Sequence, residues 1–78
     1  MVYETNTKLN CEEINEKALN FFGYSLGLET TDKNENCLNF EGGGGFVNII
    51  CCTDEDNNRV ELTTREWDRK VKSFMKKI

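Results

Sequence analysis

Between residues 24 and 63 the chain breaks into four short β-like runs separated by three turn clusters, and each end carries one amphipathic helical stripe. Tyr24 to Thr31 alternates Leu26 and Leu28 with Gly27 and Glu29. Cys37 to Glu41 places Leu38 and Phe40 on one side, and Arg59 to Thr63 does the same with Val60 and Leu62. Alternation of this kind predicts half-buried strands. Phe46 to Cys52 is apolar at nearly every position except Asn48, as expected of a central strand. The intervening clusters, Asp32 to Asn36, Gly42 to Gly45 and Asp54 to Asn58, are short and rich in turn formers. Short turns join antiparallel neighbours, because parallel ones need long crossovers.

The flanking stripes predict helices. Asn10 followed by Glu13 forms a capping box, and Cys11, Ile14, Ala18, Phe21 and Phe22 share one face before Gly23. That places a first helix over residues 11–22, stopped by Gly23. Thr63 with Glu66 reads as a second capping box, and Trp67, Val71, Phe74 and Ile78 recur on one face, giving a last helix over 64–77. Val2 to Leu9 alternates loosely and reads as a first strand. The predicted fold class is α+β: an antiparallel sheet of four to five strands with two helices packed on one face, in the order β-α-β-β-β-β-α. Residues 1–78 form a single domain, since nothing in the chain reads as a linker or a repeat. In element order alone this resembles a trimmed helix-grip domain, in which a sheet wraps a long C-terminal helix. Such a likeness implies a shape and no function.

Charge is unevenly spread. Residues 1–63 hold four basic and twelve acidic side chains, and residues 64–78 hold six basic and two acidic ones. The acidic body disfavours nucleic acid, despite Arg65, Arg69, Lys70, Lys72, Lys76 and Lys77 in the last helix. Those cations complement the helix dipole and pair with Glu66 and Asp68 at i, i+4 spacing. No apolar run reaches the ~18 residues of a membrane span. The N-terminal residues lack the basic and apolar regions of a secretory signal, so the expected location is the cytoplasm.

Four cysteines, Cys11, Cys37, Cys51 and Cys52, are the most reactive groups. Without a C-x2-C pair or any histidine they do not make a zinc signature, and no metal or cofactor is expected. Adjacent strand residues Cys51 and Cys52 point to opposite faces. In the cytoplasm all four are expected as thiols. A bond, if any, is expected between Cys37 and Cys51, on neighbouring strands.

Three other segments invite chemistry. Gly42-Gly43-Gly44-Gly45 has the flexibility of a phosphate loop, but it runs into a strand and not a helix N-terminus. A hairpin connection explains it better. Asp54-x-Asp56-x-Asn58 and Asp32-x-Asn34-x-Asn36 open like calcium loops, yet neither has glycine at position six or glutamate at position twelve. With no histidine, Ser-His and Cys-His nucleophiles are excluded.

The expectation is therefore a non-enzymatic binding or assembly module. If Val47, Ile49 and Cys51 face the helices, then Phe46, Ile50 and Cys52 leave an apolar patch on the uncovered face, beside Gly42 to Gly45. Candidate binding residues are Gly42, Gly43, Gly44, Gly45, Phe46, Ile50 and Cys52, with a second copy or another protein as partner. Two alternatives come from other classes. One is a small-ligand protein or enzyme with a pocket lined by Phe46, Phe74 and Trp67, between the sheet and the last helix. The other is a redox or metal-linked sensor acting through Cys51 and Cys52.

Overall fold

A computed structural model describes all 78 residues. Strands β1 (Val2–Thr7), β2 (Glu29–Lys33), β3 (Cys37–Gly42), β4 (Gly45–Thr53) and β5 (Asn58–Arg65) form one antiparallel sheet in the spatial order β1-β5-β4-β3-β2. Helix α1 (Cys11–Ala18) follows β1, and α2 (Asp68–Met75) closes the chain. The α+β class and the order β-α-β-β-β-β-α are as the sequence predicts. β4 sits at the centre of the order and carries large apolar side chains on both faces.

Both helices cover the same face. Ile14, Ala18 and Phe22 from the first, and Val71 and Phe74 from the last, are buried with Leu38, Phe40, Val47, Ile49, Val60 and Leu62 from the sheet. Phe22 ties the layers together, its ring centroid 5.5 Å from Phe40 and 5.2 Å from Phe74. Aromatic pairs at this spacing add to the burial of the rings themselves.

Several boundaries differ from expectation. The first helix does not stop at Gly23. It continues as a π-helical stretch, Leu19–Ser25, closed by a bond from the Leu26 amide to the Phe21 carbonyl. The left-handed residue that ends it is Gly27, at φ 73°. The wider turn brings the consecutive rings of Phe21 and Phe22 both to Phe74, at 5.6 and 5.2 Å. Because the helix runs on, β2 begins only at Glu29, and Leu28 packs into the core from the connecting loop.

The Thr63–Glu66 capping box is absent. β5 extends to Arg65, Thr64 Oγ1 donates to the Phe46 carbonyl, and α2 starts at Asp68. Trp67 is therefore not a helical stripe residue. It precedes α2, and its indole N–H donates to the Gly42 carbonyl. An eight-residue α2 is also too short to be the long helix gripped by a sheet that the element order suggested. By contrast, the Asn10 cap forms both of its reciprocal bonds with Glu13.

The cysteines depart furthest. Cys11 and Cys51 are joined in a disulfide, while Cys37 and Cys52 are free. Neither four thiols nor a Cys37–Cys51 bond is present. The pairing of β3 with β4 sets Cys37 opposite Ile50, which turns it to the uncovered face, whereas Cys51 turns into the core and meets Cys11 at the start of α1.

Candidate functional site

The uncovered face of the sheet is built from alternate residues, the ones that the core does not take. On β4 these are Phe46, Asn48, Ile50 and Cys52, and β4's neighbours fix what stands beside each. The β3–β4 hairpin sets this register. Gly43 and Gly44 both have positive φ, 57° and 81°, which gives the two-residue turn whose twist matches antiparallel strands. Gly42 then pairs with Gly45, and each later pair follows. The four glycines thus form a tight hairpin braced by Trp67, and they lead into strand β4 and not into a helix.

Four rows cross the face. Glu29, Glu41, Phe46 and Arg65 form the first, at the hairpin end. Asn39, Asn48, Thr63 and Val2 form the second. Cys37, Ile50, Glu61 and Glu4 form the third, and Cys52, Arg59 and Asn6 the fourth. Ile50 is 37% exposed and Val2 60%. Phe46 is half-buried, yet it belongs neither to the core nor to the apolar residues packed on it. Phe46, Ile50 and Cys52 therefore share the uncovered face, as the alternation of β4 predicts.

The polar residues of this face are ordered. Asn48 Nδ2 reaches Asn39 Oδ1 at 3.5 Å and Cys37 Sγ at 3.7 Å. Asn39 Nδ2 in turn donates to Thr31 Oγ1 at 2.7 Å and to Glu41 Oε2 at 3.4 Å. Arg59, directly across from Cys52, is held more firmly in its charged form than a free guanidinium. A hydrogen bond with the Cys52 side chain is the main cause, followed by the negative charge of Asp54 and, further down, that of Glu4.

Two features of the face escape a reading of single strands. Glu4 stands directly opposite Glu61, and Glu29 directly opposite Glu41. Like charges in facing positions destabilise a sheet by up to ~1 kcal/mol a pair. Each pair joins residues far apart in sequence or across a bulge at Thr30/Asp32, so no local pattern announces it. The β3–β4 rows, in contrast, follow from Gly43-Gly44 as a two-residue turn.

The other predicted constellations do not assemble. Phe46 lies on the opposite side of the sheet from Phe74, which is 1% exposed among Phe21 and Phe22, so no pocket is lined by Phe46, Phe74 and Trp67 together. Cys51 and Cys52 are likewise divided by the sheet, one bonded and one free. Both aspartate- and asparagine-rich segments are hairpin turns, closed by bonds from the Asn34 amide to the Cys37 carbonyl and from the Asp54 amide to the Asn57 carbonyl. No group of three or more cysteine, aspartate or glutamate side chains is placed to hold a metal ion. No helix is long and apolar enough to cross a membrane. No family model matches the chain, and neither curated proteins nor solved structures give a match to it.

Proposed function

We propose that this chain is a non-catalytic protein-recognition module whose uncovered sheet face docks a basic segment of a partner protein. The carrying observation is the pair of facing glutamates, Glu4 with Glu61 and Glu29 with Glu41, around exposed Ile50 and half-buried Phe46. Repulsion of this kind costs stability in the free chain and is relieved by cations placed between the carboxylates. An apolar centre with a charged surround is the arrangement of a binding patch. Four glutamates against Arg59 and Arg65 leave the face net acidic, so two copies meeting through it would oppose like charge. That favours a basic partner over a homodimer. The Cys11–Cys51 bond supports a working place in an oxidising compartment, since reducing ones keep thiols free.

A synthetic peptide of alternating lysine and leucine tests the reading, followed by amide chemical shifts. Expected are saturable shifts at Glu4, Ile50 and Glu61 that weaken steeply with salt. Glu61→Lys should lower affinity about tenfold while leaving the fold as stable or more so. Unmoved sheet-face amides, or binding that Glu61→Lys leaves intact, would refute a basic partner. Sedimentation as a dimer that Ile50→Lys dissociates would replace it with self-assembly.

A further inference from the structure

On the helical side of the molecule, a hollow of about 250 Å³ opens between the end of the first helix and α2. Its wall is Lys17, Asn20, Phe21, Ser25, Phe74 and Lys77. Three of these, Asn20, Phe21 and Ser25, come from the π-helical stretch. Such stretches are rare and concentrate at functional positions, because the extra residue in the turn redirects side chains. Here it directs an amide, an aromatic ring and a hydroxyl to one opening.

Charge sets this hollow apart from three others on the molecule. The chain has 14 acidic and 10 basic side chains, yet this wall holds two ammonium groups and no carboxylate. A larger hollow has one lysine among three glutamates, and two more have a single lysine each. Lys77 is held at the mouth by the ring of Phe21, its Nζ 4.9 Å from the centroid. A cation resting on an aromatic face is positioned without being neutralised. Asn20 and Ser25 add neutral hydrogen-bond donors, and the half-buried ring of Phe21, backed by buried Phe74, gives an apolar floor.

We infer that this hollow binds a small organic acid, with its carboxylate between Lys17 and Lys77 and a compact aromatic or branched body on Phe21. Its volume lies below the 300–1,000 Å³ usual for drug-sized ligands, so only a compact acid fits. The site lies on the side of the sheet away from the proposed docking face and does not depend on it.

The probe is 3-phenylpropanoate, titrated into the full disulfide-bonded chain and followed by amide chemical shifts. Expected is saturable binding in the low millimolar range, the affinity usual for so small a ligand in an open site. The shifts should gather on Lys17, Asn20, Phe21, Ser25 and Lys77. The neutral 3-phenylpropanol should bind about tenfold more weakly, and inorganic phosphate should leave these amides unmoved. The double variant Lys17→Gln/Lys77→Gln should lose about tenfold for the acid. The alcohol arm removes the same charge interaction without altering the protein, so it decides the matter even where the variant fails to fold. Shifts that do not saturate, shifts centred elsewhere, equal affinity for acid and alcohol, or phosphate binding as well as the acid would each overturn the inference.

Discussion

Tyr3 shows how one residue joins distant parts of this chain. It sits on edge strand β1, and its hydroxyl donates to Asp68 Oδ2 at 2.6 Å, at the first residue of α2. Lys72, one turn further along α2, lies over the same ring with its Nζ 5.6 Å from the centroid. The hydrogen bond to Asp68, aided by desolvation and the carboxylate's charge, raises the phenol above its ordinary value of 10.0. The protonated phenol is the form that donates, so its stabilising effect is complete below pH 10.0 and is lost as pH rises through the higher folded value. A spectrophotometric titration should find a phenol ionising above pH 10.0, and Asp68→Asn should bring it back down. A phenol indifferent to that substitution would mean that the β1–α2 bond does not persist in solution.

Among elements, the link from β5 to α2 carries backbone strain. Glu66 has φ 77° and is the only residue other than glycine in the left-handed region. A side chain there costs ~1–2 kcal/mol, and the loss of freedom on ordering a glycine offsets only ~0.5–1 kcal/mol of that. Glu66→Gly should therefore stabilise the chain by about 0.5–1 kcal/mol. Gly44→Ala should act in the opposite sense, destabilising by about 1 kcal/mol. At φ 81° with no atom within 4 Å of the added methyl, its cost is backbone strain alone. Chemical denaturation of both variants checks the pair of signs. Local signals near this junction misled in an instructive way. Thr63 and Glu66 have the spacing of a capping box, but Thr64 meets the Phe46 carbonyl and keeps β5 paired for two more residues. Pairing with a neighbouring strand decided the boundary, and no local spacing records that. For the same reason Leu26 and Leu28 read as strand alternation, although they close the π-helical stretch and its loop. The split of β4 into inward Val47, Ile49 and Cys51 and outward Phe46, Ile50 and Cys52 was legible because side-chain alternation needs no partner. The facing glutamates were not, because they exist only once β1 has found β5 and β2 has found β3.

At the scale of the whole molecule, a chain of this size buries only ~60–65% of its unfolded surface and sits near the lower limit for a self-supporting core. The Cys11–Cys51 disulfide closes a sequence separation of 40 and anchors α1 to the central strand. Restricting the unfolded chain over such a loop contributes about 4 kcal/mol in the chain-entropy treatment. That is a large share of the ~4–12 kcal/mol expected of a domain this size. The bond is also protected. Cys51 is 3% exposed, while Cys11 is half-buried beside a hollow of about 650 Å³, so a thiolate has access only from the Cys11 side. Attack there expels the Cys51 thiolate into the apolar core, an unfavourable place for a charge. In the native state, an alkylating reagent should therefore modify Cys37 and Cys52 alone, and dithiothreitol should release Cys11 and Cys51 only as fast as the chain unfolds. Once reduced, or as Cys11→Ser/Cys51→Ser, the chain should melt roughly 20 °C lower. A melting temperature unchanged by reduction would show that the core holds the helices to the sheet without the bond. It would also remove the argument for an oxidising compartment, since the chain would then fold equally well with all four cysteines as thiols.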